Sequence, residues 1–173
     1  MPIMKSENSK DPIADRLRKA REIRKANADA ASGERALVTD FQQQANKAAI
    51  EEVGKIEQSF IARCDSINAA KDGDDPEFRF NEATHELRAG QFATYLELTE
   101  GFSPYRLDMV TGLRRDAAQV FAPGFEPEYE PTNWRLLARM DDRGFYWESD
   151  GERLSTEEVV EQGLKALVDN LSR

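Results

Sequence analysis

Residues 33–70 read GERALVTDFQQQANKAAIEEVGKIEQSFIARCDSINAA, and this stretch decides the fold. Its apolar residues are Val38, Phe41, Ala45, Ala49, Val53, Ile56, Phe60, Cys64 and Ile67. They recur at gaps of 3, 4, 4, 4, 3, 4, 4 and 3. The mean of about 3.6 is the period of one face of a straight α-helix. A left-handed coiled coil would need a sustained 3-4-3-4 alternation, which this stripe lacks. The expectation is a straight helix packed on a sheet or in a short bundle.

Working outward toward the N-terminus, residues 1–12 are polar and read as a disordered tail. Asp11-Pro12 is a helix start, with Asp as N-cap and Pro at the first helical position. Residues 13–32 then read as a basic helical arm. Ile13, Leu17, Ala20 and Ile23 form a thin apolar stripe among Arg16, Arg18, Lys19, Arg21, Arg24 and Lys25. Such an arm is either a solvated helix, a helix that pairs with a second chain, or a basic segment that touches phosphate. Membrane-surface binding is disfavoured, because the apolar face lacks Trp and Phe. Ala30-Ala31-Ser32-Gly33 reads as a break between two helices, or as a kink in one helix running from about 12 to 70.

Toward the C-terminus, Lys71-Asp72-Gly73-Asp74-Asp75-Pro76 ends the long helix, which spans 33–72 with its cap. This acidic loop lacks the residue order of an EF-hand and reads as a turn. The period then changes to two. Phe78 and Phe80; Phe92, Thr94, Leu96 and Leu98; and Tyr105, Leu107 and Met109 each alternate with more polar neighbours. Strict alternation means a sheet with one buried face. Glu100-Gly101 and Thr111-Gly112 read as hairpin turns, and Leu113 to Phe121 as a weaker strand. Trp134, Leu136, Ala138 and Met140 turn at Asp141-Asp142-Arg143-Gly144 into Phe145-Tyr146-Trp147-Glu148, and Asp150-Gly151 marks another turn. Ser155-Thr156-Glu157-Glu158 is a capping box that opens a final helix bearing Val160, Leu164, Leu167 and Leu171. Gly163 in that helix permits close packing on the sheet.

The order predicts an α+β fold: N-terminal basic helix and long helix, an antiparallel meander of about five strands, and a C-terminal helix packed on the sheet, all within residues 73–173 for the last two parts. Length assigns a second role to the long helix. Thirty-eight residues span roughly 57 Å. Five strands span only roughly 24 Å. The overhang predicts oligomerisation, most simply a two-fold homodimer through Val38, Phe41, Ala45 and Ala49.

Composition narrows the function. The chain carries 24 Lys/Arg against 33 Asp/Glu, a net charge of −9. Residues 1–35 hold nine basic against six acidic side chains, whereas residues 71–173 hold twelve against twenty-two. The C-terminal part should repel nucleic acid and anionic lipid, so only the N-terminal arm can attract them. No apolar run approaches a membrane span, no signal-peptide h-region opens the chain, and a single cysteine cannot form an internal disulfide. The expected location is cytoplasmic.

Chemistry is sparse. The sole histidine, His85, reads as a surface or turn residue. The sole cysteine, Cys64, lies on the apolar stripe as an inert thiol. Nucleotide-binding, phosphate-loop and nucleophile-elbow motifs are missing from the sequence, so no catalytic residue, cofactor or metal ligand is assigned. Residues 122–133 form a proline-rich loop in which Glu126, Glu128, Phe125 and Tyr129 alternate, a candidate surface for a protein partner. The expected function is a non-enzymatic protein-interaction module: an oligomeric adaptor, chaperone or regulator. The alternatives are a nucleic-acid-associated regulator using the basic arm, an acidic mimic of nucleic acid, and a small enzyme or ligand-binding domain with a pocket lined by Phe92, Leu96, Trp134 and Trp147.

Overall fold

A computed structural model describes residues 12–114 and 131–172. Asp11, most of the strand expected at 113–121 and the whole acidic-aromatic set Phe125, Glu126, Glu128 and Tyr129 lie outside the described residues. The elements are α1 (Pro12–Ala70), β1 (Phe78–Asn81), β2 (Glu86–Ala89), β3 (Phe92–Thr99), β4 (Arg106–Leu113), β5 (Thr132–Asp141), β6 (Gly144–Ser149), β7 (Glu152–Leu154) and α2 (Thr156–Leu171). The fold is α+β, as the change of period from 3.6 to 2 predicts. The chain forms two compact units, one ending at Asp40 and one beginning at Phe41.

The described residues of the first unit are helix alone. No helix end falls at Ala30–Gly33: α1 runs through it, which is the continuous alternative to a break. Gly33 costs about 1 kcal/mol relative to Ala inside a helix, and that is too little to stop one. Every side chain described from Ile13 to Asp40 is exposed.

In the second unit the described residues form seven antiparallel strands that pair in sequence order, β1 through β7. Two more strands are present than the alternation showed: β2 (ELRA) and β7 (ERL) lack a pair of large apolar residues like Phe78 and Phe80 of β1. Thr111-Gly112 is not a turn. Both residues pair inside the β3–β4 ladder, Thr111 with Thr94 and Gly112 with Ala93. The two threonine hydroxyls lie 2.8 Å apart, so each satisfies the other inside the core. The turns expected at Gly101, Gly144 and Asp150-Gly151 are present, and each uses backbone with positive φ.

One parity of strand residues faces the helices. Leu87, Phe92, Leu96, Leu107, Met109, Leu136, Ala138, Trp147 and Leu154 pack with Ala49, Ile56, Phe60 and Cys64 of α1 and with Val159, Val160, Leu164 and Leu167 of α2. The apolar face is therefore filled. Phe92, Leu96 and Trp147 are buried in this core and Trp134 packs against it; rather than converging on one pocket, Leu96 borders one surface cavity and Trp134 another.

Polar side chains pin α1 to the sheet. Gln42 Nε2 donates to the Ala138 carbonyl of β5 at 3.0 Å, and Asn46 Oδ1 accepts from the Tyr105 amide at 3.0 Å. At the other end the Asn68 side chain bonds both backbone groups of Phe78, accepting at 2.8 Å and donating at 2.7 Å. Asn68 thus occupies hydrogen-bonding positions on edge strand β1, whose open groups would otherwise invite another strand.

α2 starts where the capping box places it. Ser155 Oγ accepts from the Glu158 amide at 3.2 Å, and Glu158 Oε2 accepts from the Ser155 amide at 2.7 Å. The hydrogen bonds from the Ser155 backbone and then its hydroxyl hold the Glu158 carboxyl below its ordinary value. Gly163 is buried at the junction of both helices and the sheet. A Cβ there would lie 3.0 Å from both Met109 Sδ and Phe60 Cζ.

Candidate functional site

Ile13, Leu17, Ile23, Leu37 and Val38 are between 56% and 68% exposed. Single exposed apolar side chains are ordinary; five within one 26-residue helical segment form the most concentrated set among the described residues. Further along the same helix, Ala45, Ala49, Ile56 and Phe60 are completely buried. The contrast corrects the expected dimer interface. Ala45 and Ala49 have no surface left to offer a second chain, because the chain's own second unit covers them. Phe41 is half-buried. Of the four expected interface residues, only Val38 is fully exposed.

The basic residues Arg16, Arg18, Lys19, Arg21, Arg24 and Lys25 are all exposed. At about 100° per residue they spread around the helix rather than forming one stripe. Four arginines of the strands are committed to carboxylates. Arg106 Nε lies 2.8 Å from Asp108, Arg139 Nε 3.3 Å from Glu148, and Arg153 Nη1 2.5 Å from Asp141; Arg88 pairs with Glu86. Arg153 also stacks 4.0 Å over the Tyr146 ring. Among the described residues, these four arginines are neutralised by neighbouring carboxylates and offer no patch of unpaired cations to phosphate.

The only imidazole is exposed and sits at a turn, with His85 at φ 50°. Its Nδ1 lies 2.5 Å from Glu57 Oε1 on α1. No sequence signal marks that pair, because 28 residues separate its members. The pair borders an open surface cavity of about 440 Å³, lined also by Ile50, Val53, Leu96, Glu97 and Glu100. A histidine–carboxylate pair can hold and move a proton. Cys64 does not line this cavity; burial pushes its thiol up to about 11, so it stays a protonated core group at neutral pH. Among the described residues no group of three or more His, Cys, Asp or Glu side chains is arranged to hold a metal ion. No described helix is long and apolar enough to cross a membrane. Sequence reading also passed over Phe102, which is 79% exposed in the β3–β4 loop, and Ile50, which is 51% exposed on α1.

No protein-family model matches the chain, and neither curated proteins nor solved structures give a significant match. The functional reading therefore rests on the site itself.

Proposed function

We propose that the protein is a non-enzymatic interaction module, an adaptor, chaperone or regulator, whose binding element is the helical segment 13–40. One observation carries this reading: five large apolar side chains stand in water along a helix whose following half buries the same kind of residue. Most helical stability in proteins comes from packing of an apolar face, so an apolar stripe on an exposed helix gains stability by meeting another surface. The test is affinity capture with the full chain and with the double substitution Leu17→Glu, Leu37→Glu. Loss of captured protein on substitution is the expected result. Capture that is unchanged by both charges overturns the reading.

The exposed basic side chains favour a second reading, in which the same segment contacts nucleic acid. It requires binding that weakens steeply with salt. Mobility-shift measurements in low salt that show no complex dispose of it.

A further inference from the structure

The exposed half of α1 carries a pattern that differs from the buried half. Positions 13, 17, 20, 24, 27, 31, 34 and 38 are separated by gaps of 4, 3, 4, 3, 4, 3 and 4. This is the spacing that helix-on-helix packing uses, and five of the eight positions are apolar while three are polar. The occupants are Ile13, Leu17, Ala20, Arg24, Asn27, Ala31, Glu34 and Val38. The remaining large exposed apolar residues, Ile23 and Leu37, each immediately precede a seam position and widen the seam on one flank.

The series of gaps reads the same in both directions. An antiparallel copy therefore matches it layer by layer: Ile13 with Val38, Leu17 with Glu34, Ala20 with Ala31, and Arg24 with Asn27. Each layer occurs twice, as a two-fold axis requires. Apolar layers fall at the two ends, and the small pair Ala20–Ala31 lets the backbones approach.

Charge selects the orientation. Residues 16–25 hold six basic side chains and one acidic, and residues 29–40 hold three acidic and one basic. Antiparallel pairing sets the positive half of one copy beside the negative half of the other. It also places seam residue Glu34 next to Leu17, within one turn of Arg16, Arg18 and Arg21. Parallel pairing in register would set Glu34 against Glu34 and Arg24 against Arg24, and like charges facing each other disfavour that alternative.

We propose that segment 13–38 pairs antiparallel with the same segment of a second copy, about a two-fold axis between Lys25 and Ala26. This rests on the interaction reading and names its partner. Arg24 and Asn27 at the centre act as register-setting polar positions, since a seven-residue slip toward the N-terminus would set Arg24 against Ala20 and Asn27 against Leu17.

Disulfide trapping in the full-length protein tests the geometry, because Cys64 is 5% exposed and gives little background. Ile13→Cys protein mixed with Val38→Cys protein should form a covalent dimer under mild oxidation. Ile13→Cys alone should not, because in the antiparallel pair the two copies of residue 13 stand roughly 37 Å apart. Light scattering of the unmodified chain should show a mass approaching twice 19.6 kDa at high concentration. Leu17→Glu should shift that mass toward the monomer. Cross-linking of Ile13→Cys alone, or a dimer that the mixture does not trap, overturns the antiparallel register. A monomer at all concentrations overturns self-pairing; if Leu17→Glu, Leu37→Glu still abolishes capture of a different protein, the interaction reading stands while this one falls.

Discussion

The two halves of α1 belong to one continuous helix and meet opposite environments. From Ala45 to Cys64 one apolar face (Ala45, Ala49, Ile56, Phe60 and Cys64) is buried, while from Ile13 to Val38 the large apolar side chains are in water. The buried apolar face repeats at about 3.6 residues, whereas the exposed half interleaves its apolar residues with Arg24, Asn27 and Glu34. The buried half adds amide side chains that reach backbone groups of the sheet: Gln42, Asn46 and Asn68. The exposed half carries charges of both signs instead. Helicity is thus common to both halves, but only one half has its stability built into the chain.

The strongest way to break this comparison is to truncate matched apolar residues on the two halves. Phe60→Ala should lower unfolding free energy by about 3–5 kcal/mol, since it empties the position beneath Gly163 and beside Phe80. Leu37→Ala should change it by less than about 0.5 kcal/mol at concentrations where the chain is monomeric. Urea denaturation of both variants gives the answer, and similar losses would erase the distinction.

Gly163→Ala sharpens the comparison from the other side of the core. Ala favours the helix by about 1 kcal/mol. The added methyl must displace Phe60 and Met109, both fully buried, and overpacking of this kind costs about 1–3 kcal/mol. Net destabilisation of about 1 kcal/mol is expected, and a thermal melt that moves upward would show that the junction has slack.

Much of this architecture was legible in the sequence. The change from 3.6 to 2 at Phe78 marks the passage from helix to sheet, and Ser155 with Glu158 marks the start of α2. The Trp134–Glu148 hairpin was equally clear from its turn residues. Strands β2 and β7 were not, because they offer only Leu87 with Ala89 and a single Leu154, without the paired large side chains that mark the equally short β1. Thr111-Gly112 has the composition of a turn, yet the Thr94–Thr111 hydroxyl pair needs it within the ladder. The candidate surface was only half legible. Periodicity identifies a face that is able to bury itself, but not what buries it, so Val38 and Ala45 looked alike in sequence and have opposite exposure. The His85–Glu57 pair depends on tertiary folding and leaves no local trace.

A smaller effect should come from the α2 cap, which the exposed half of α1 has no described counterpart to. Ser155→Ala should cost about 1 kcal/mol. Its pH dependence follows from Glu158, whose carboxyl is held low by the Ser155 amide and hydroxyl. A depressed folded value means that the contribution is present above the unfolded carboxyl range and is lost as pH falls through the folded value. The wild-type chain should therefore lose more stability on acidification than Glu158→Gln does, as measured by melts taken from pH 6 downward. Equal slopes would remove Glu158 from the cap's energetics.

Hydrogen exchange along α1, recorded at low and high protein concentration, tests the central claim most directly. Amides from Ala45 to Cys64 should be strongly protected at both concentrations. Those from Ile13 to Val38 should exchange quickly in dilute protein and gain protection as concentration rises, because only a partner stabilises that half. Protection of residues 13–38 that does not change with concentration would contradict the account.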